Sequence, residues 1–238
     1  MNLILLFEED FIAADTIRLT GRRLRHINEI HRAQTGDILT VGQLGGKIGA
    51  GEITTITKSS LEMHVELQSE SPAPLPVTLV LALPRPRVLN RTLIAATSMG
   101  VKKIYLLHTN RVEKSFWHSP VLNEEKLKHS LILGLEQAKD TLLPDVYLRK
   151  RFRPFVEDEL PLIAQNTRKL VAHPEISVAS SDAEEIATTL IVGPEGGLIP
   201  YEIEKLSAIG FAGISLGQRI LRVETAVPVL LARLFRKE

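Results

Sequence analysis

Two glycine-rich stretches near the end of the chain hold the residue types best suited to grip a small ligand. Gly193-Pro194-Glu195-Gly196-Gly197 follows an apolar run, Thr189 to Val192, and precedes a proline-led helix. Adjacent glycines let backbone amides and carbonyls approach a ligand closely, because no Cβ intervenes. The second stretch is Leu216-Gly217-Gln218-Arg219-Ile220-Leu221-Arg222-Val223-Glu224-Thr225-Ala226. It places two arginines and a glutamate on a bend that runs into a helix. Each stretch alone also reads as a plain connector between strand and helix, the second with a capped helix start and a surface ion pair. Together, at consecutive strand ends, they favour a shared site, since open α/β sheets hold ligands beyond the carboxyl ends of their strands.

Spacing and composition exclude several other chemistries. The dinucleotide pattern G-x-G-x-x-G is absent from the glycine loops. Gly213-Ile214-Ser215-Leu216-Gly217 matches the nucleophile elbow of hydrolases, but that fold needs a histidine after the serine, and the last one here is His173. Gly42 to Lys47 fails as a phosphate loop, with Val41 at the first glycine position and Ile48 at the magnesium-binding position; a hairpin turn is expected instead. His26 and His31 are five residues apart and would point about 140° apart on a helix, so no metal is expected. The chain has no cysteine, which removes disulfides, thiolate nucleophiles and thiolate-held metals.

Basic residues form two local patches. Arg22, Arg23, Arg25, His26 and Arg32 surround a short helix, and Arg85, Arg87 and Arg91 alternate with Pro84 and Pro86 at a strand end. Residues 1–72 hold 7 Lys and Arg against 10 Asp and Glu, so the first patch sits on an acidic background. Each patch is either a solvated face or a set of phosphate contacts to RNA. Aromatic residues are only 5% of the chain, and neither patch carries an obvious base-stacking platform.

The elements that position these residues fall into two domains. Ser69-Glu70-Ser71-Pro72-Ala73-Pro74-Leu75-Pro76 is a proline-rich connector, which sets boundaries of 1–72 and 73–238. In the first domain Leu61, Met63, Val65 and Leu67 alternate with polar residues, the signature of a half-buried strand. Ile38 to Val41 and Ile48 to Ile56 are further strands, and Thr20 begins a short helix; a small β-barrel is predicted. In the second domain strands over 77–83, 103–107, 169–172, 189–192 and 214–216 alternate with helices over 88–99, 124–139, 200–209 and 224–235. Such alternation predicts a mostly parallel sheet with helices on both faces. Pro228 is tolerable in the last helix only within its first turn, where a missing N–H matters little.

With 238 residues, 44% hydrophobic and 24% charged, and a net charge of +1, the composition is that of an ordered globular protein without a global polycation. No apolar run approaches the 18 or so residues needed to cross a bilayer. Leu3 to Phe7 is too short for a signal sequence and runs into Glu8, Glu9 and Asp10. A soluble cytoplasmic protein is expected.

The two glycine-rich motifs, taken as a pair, resemble those of the SPOUT class of knotted methyltransferases. Within that class the chain resembles the family that makes 3-methyluridine in 16S ribosomal RNA. Supporting matches are His26 with Arg32 and Gly36-Asp37, Met99-Gly100-Val101, Glu136-Gln137, and His173-Pro174, in the right order over nearly the whole chain. The resemblance implies a PUA-like N-terminal barrel that binds RNA, a C-terminal α/β domain with a deep trefoil knot, and a homodimer that holds S-adenosylmethionine near its interface. It assigns the cofactor to Val171, His173 and Pro174, to Val192, Gly193, Glu195, Gly196 and Gly197, and to Leu216, Gly217, Ile220, Leu221 and Arg222. It implies RNA contact by Arg22, Arg23, Arg25, His26, Arg32, Arg85 and Arg87. The implied reaction methylates N3 of a uridine, number 1498 in the usual numbering of that RNA. Arg222 would stabilise charge on the uracil oxygens, with Glu224 orienting it. Ala95, Ser98 and Asp140 depart from the family's common lysine, glutamate and arginine. The alternatives are a SPOUT enzyme for another RNA and a catalytically silent, RNA-binding assembly factor.

Overall fold

The computed structural model describes residues 2–173 and 186–235. The chain divides into two compact units, Met1–Ala73 with Ile132–Leu143, and Pro74–Leu131 with Pro144–Glu238.

The first unit is a curled six-stranded sheet. Its strands are β1 (Ile4–Leu6), β2 (Phe11–Ala13), β3 (Thr16–Leu19), β4 (Ile38–Gln43), β5 (Ile48–Ile56) and β6 (Leu61–Ser69), in the order β1-β4-β5-β6-β3-β2. Leu61, Met63 and Val65 turn inward as their alternation requires, against Ile17, Leu19, Val41 and Ile53. Residues 44–47 join β4 to β5 as a hairpin turn, with Gln43 N–H donating to the Lys47 carbonyl. β1 is apolar throughout because both of its faces are covered. Ile4 and Leu6 enter the core within the sheet, while Leu3 and Leu5 pack on Ile132 and Leu135 from the second half of the helix Glu124–Ala138. At Gly49 a Cβ would lie 1.8 Å from the Glu66 carbonyl oxygen, so β5 and β6 meet there only because the residue is glycine.

The second unit is a six-stranded, wholly parallel sheet of β7 (Val77–Ala82), β8 (Lys103–Leu107), β9 (Asp145–Arg149), β10 (Arg168–Ala172), β11 (Thr188–Val192) and β12 (Ala212–Ile214). The order is β12-β10-β11-β7-β8-β9. β7 and β11 lie at its centre and are buried along nearly their whole length, as their unbroken apolar runs require. The edge strand β9 is half exposed; its Tyr147 stacks on Tyr105 of β8 with ring centroids 4.8 Å apart.

Two local expectations need correction, and one strand is new. The last strand ends at Ile214, so Ser215 and Leu216 belong to the following loop. The final helix spans Val223–Leu234, which makes Pro228 its sixth residue and places it beyond the first turn. Its ring leaves the Glu224 carbonyl without the usual i+4 amide donor. Edge strand β9 had no sequence counterpart, because Asp145-Val146-Tyr147-Leu148-Arg149 mixes polar and apolar residues without a buried run.

Candidate functional site

The parallel register brings Ala172, Val192 and Ile214 side by side at the carboxyl edge of the second unit's sheet. The two glycine-rich stretches leave from this edge and enclose a cavity of about 220 Å³. Val192, Leu198, Leu216 and Ile220 give it apolar walls, and Val223, Ala226 and Leu230 of the last helix close its back. Backbone groups of Gly193, Gly196, Gly197 and Gly217 face it, together with Glu195, His173 and Arg219. Gly197 and Gly217 have φ of 74° and 103°, in the region that side chains resist, so these two bends depend on glycine.

Side chains and backbone shape the second loop as well. The Ser215 hydroxyl accepts the Gly217 N–H at 3.2 Å, and Arg233 donates to the Ser215 carbonyl at 3.3 Å. Ser215 thus organises a turn. His173 continues the pairing of β10 with β12, its N–H donating to the Ile214 carbonyl at 3.0 Å.

The first loop is braced from neighbouring strands. Glu195 accepts the Arg85 N–H at 3.0 Å, just beyond the end of β7. Arg111, beyond the end of β8, donates to the Gly196 carbonyl. The buried Glu202 carboxylate accepts the N–H of Asn110 at 2.6 Å and that of Ile199 at 3.0 Å, joining the loop after β8 to the helix after the glycine loop. Arg111 and Glu202 carried no signal in the sequence; their roles come from contacts across 85 and 92 residues. Beside them, Trp117 Nε1 donates to His108 Nδ1 at 2.8 Å. Burial, and then the Lys114 ammonium, hold the His108 imidazole below its ordinary pKa.

Most of the expected cofactor residues line the cavity: His173, Val192, Gly193, Glu195, Gly196, Gly197, Leu216, Gly217, Ile220 and Leu221. Val171 does not. It lies one residue earlier on β10, buried in the sheet's core, and Ala172 takes its place at the wall. Pro174 lies outside the described residues. Arg222 is exposed at the start of the last helix, and its carbonyl accepts the Thr225 and Ala226 N–H groups. Glu224 faces Arg91 at 4.0 Å, and among the described residues no ion pair joins Glu224 to Arg222.

The basic residues divide by what already holds them. In the first unit Arg22 pairs with buried Glu136 at 2.9 Å, and Arg23 clamps buried Asp10 with Nη1 and Nη2 while Nη1 also donates to the Leu5 carbonyl. Arg25 and Arg32 are exposed, and His26 is half-buried. In the second unit the side chains of Arg85 and Arg87 are exposed. Two departures from the family pattern have structural partners: Asp140 accepts from Ser71 Oγ at 2.9 Å and the Leu142 N–H at 2.8 Å, and Ser98 Oγ donates to the Ile94 carbonyl at 2.8 Å. Among the described residues no cluster of three or more histidines and carboxylates could hold a metal ion, and no helix is long and apolar enough to cross a membrane.

Residues 71–235 match the model of a family described as an RNA methyltransferase domain. A curated protein named ribosomal RNA small subunit methyltransferase E from Treponema pallidum is 29% identical over 232 residues, covering 95% of this chain and 87% of that protein. The crystal structure of a ribosomal RNA small subunit methyltransferase E from Neisseria gonorrhoeae bound to S-adenosyl methionine superposes with a TM-score of 0.75. It is 21% identical and covers 97% of this chain and 95% of that one. The structure of a Legionella pneumophila protein in complex with bound cofactor SAM gives a TM-score of 0.74 at 23% identity, covering 98% of this chain and 96% of that one. The fold is shared with both.

Proposed function

The chain belongs to the RNA methyltransferase domain family, and from that premise we propose that it methylates N3 of a uridine in 16S ribosomal RNA, uridine 1498 in the usual numbering, using S-adenosylmethionine. The observation that carries the reading is the cavity between the two glycine loops at the carboxyl edge of β10, β11 and β12, inside the span that matches the family. Its donor set suits an adenosyl group: apolar side chains for the ring, and glycine backbone groups for the polar edge. Names of the relatives support the substrate, since the similar curated proteins are called small-subunit ribosomal RNA methyltransferases.

On this reading Gly193, Gly196, Gly197 and Gly217 hold the cofactor through backbone groups, and Leu216, Ile220 and Leu221 cover its ring. Bound there, S-adenosylmethionine supplies a methyl already activated by its sulfonium. The protein's part is then position and electrostatics. N3 lies on the Watson–Crick edge, so the uridine must be unpaired or flipped out. As N3 gives its proton to a base, negative charge spreads to the uracil oxygens, and on this reading the exposed Arg222 guanidinium balances it. Glu224 acts at one remove, in the first turn of the helix that Arg222 begins. Arg25, His26 and Arg32 of residues 1–72, and Arg85 and Arg87 of residues 73–238, contact RNA phosphates. A PUA-like barrel, a trefoil knot in the second domain, a homodimer and a cytoplasmic location complete the proposal; the curled sheet of β1–β6 and the insertion of β10 between β12 and β11 support the first two.

Calorimetry with S-adenosylmethionine and nucleoside analysis of ribosomal RNA from a deletion strain test the reading together. It predicts binding, and loss of 3-methyluridine from 16S RNA. No binding would leave a non-enzymatic assembly factor, and loss of a different modified nucleoside would redirect the enzyme to another target. Arg222→Ala should lower turnover by about a hundredfold with cofactor affinity retained; full turnover would remove Arg222 from the mechanism.

A further inference from the structure

We propose that Arg111 is a positioning residue that sets the conformation of the cofactor loop by pinning the peptide between Gly196 and Gly197; this rests on the functional reading above. The peptide is held at both ends. Its N–H, on Gly197, donates to the Pro194 carbonyl at 2.8 Å. Its carbonyl, on Gly196, accepts from Arg111 Nη1. The arginine stem lies flat on the same residue: a Cβ at Gly196 would fall 3.1 Å from Arg111 Cδ and 3.4 Å from its Cβ. Absence of a side chain at Gly196 thus makes room for the arginine as well as for a ligand.

Fixation matters here because of the residues involved. Two successive glycines have wide backbone freedom, and the peptide between them rotates at little steric penalty. Left unpinned, its carbonyl could turn toward the cavity, changing which backbone groups a ligand meets. With both ends engaged, the loop presents one arrangement before any ligand arrives, which reduces the ordering that binding must impose.

Arg111 is itself seated by a buried group. Glu202 accepts the N–H of the preceding residue, Asn110, at 2.6 Å and the N–H of Ile199 at 3.0 Å. One carboxylate therefore fixes both the base of the arginine and the start of the helix beyond the glycine loop. The arginine is exposed and outside the sheet core, so its removal should disturb the loop and leave the fold intact.

Arg111→Ala and Arg111→Lys test the inference by S-adenosylmethionine calorimetry, steady-state kinetics and thermal unfolding of the ligand-free chain. Arg111→Ala should raise Kd and KM for S-adenosylmethionine about tenfold, the effect of losing one charge-assisted hydrogen bond to a carbonyl at an exposed site. Its kcat at saturation and its unfolding midpoint should stay near the wild-type values. Arg111→Lys, which keeps one cationic donor, should recover part of the affinity. Unchanged Kd and KM in Arg111→Ala would overturn the inference while wild-type binding leaves the functional reading standing. So would an affinity loss that accompanies a lowered unfolding midpoint and that lysine does not relieve. A wild-type chain that binds no S-adenosylmethionine would overturn both.

Discussion

Replacing Arg23 by alanine should destabilise the first unit, although its sequence neighbourhood reads as a nucleic-acid patch. Its guanidinium bridges both oxygens of Asp10, donates to the Leu5 carbonyl and lies over the Phe7 ring with its carbon 4.7 Å from the centroid. The two side chains retain only 13% and 7% of their exposure. Without the arginine, Asp10 keeps one donor, the Phe7 N–H at 2.7 Å. Removing one partner of a buried pair costs about 3–5 kcal/mol. The surviving amide and residual access to water place this case near the lower end, about 3 kcal/mol. At roughly 4–8 °C per kcal/mol for a unit of about 85 residues, the first unit should melt about 12–24 °C lower. Arg23→Met combined with Asp10→Asn should recover much of the loss, because no charge is left buried. Exposed Arg25→Ala should stay within about 0.5 kcal/mol of wild type while weakening RNA binding and reducing its salt dependence. Calorimetric melts and RNA titrations at several salt concentrations measure both. An Arg23→Ala protein that melts like wild type and loses RNA affinity as Arg25→Ala does would refute this assignment.

Gly49→Ala should prevent the first unit from folding, because its Cβ would meet the Glu66 backbone carbonyl and no side chain can yield; loss of far-ultraviolet strand signal with poor expression is the readout. Gly217→Ala meets no atom within 4 Å, so its penalty comes from the φ of 103° alone, about 1–2 kcal/mol. Cofactor affinity should fall by roughly tenfold as the loop relaxes, measured by calorimetry. The His108 imidazole is held below its ordinary pKa, so beneath about pH 6.5 the unfolded chain binds protons that the folded chain refuses. Stability should accordingly fall as pH drops through that value, and His108→Asn should flatten the dependence. Trp117 is the sole tryptophan and donates to His108, so its emission reports the same event.

The fold was legible wherever one face of an element meets a single core. Leu61, Met63 and Val65 alternate because β6 has one buried face, and the runs at β7 and β11 are unbroken because both faces are covered. β1 was opaque for the reason that makes it stable: Ile4 and Leu6 serve one core while Leu3 and Leu5 serve another, and five apolar residues in a row carry no period. In the site, the glycine bends could be read because positive φ and close approach restrict the residue type. Arg23, Glu202 and Arg111 could not, since an ion pair or a brace between distant segments leaves no mark in local spacing. The sequence placed Arg22 and Arg23 in a basic patch; folding pairs them with Glu136 and Asp10.

Hydrogen exchange with and without S-adenosylmethionine tests the location of the site most directly. Slowed exchange confined to amides of 172–173, 192–198 and 214–222, with the strands of the first unit unchanged, is the predicted result. Unaltered exchange in both bends, or protection gathered elsewhere in the chain, would contradict the account.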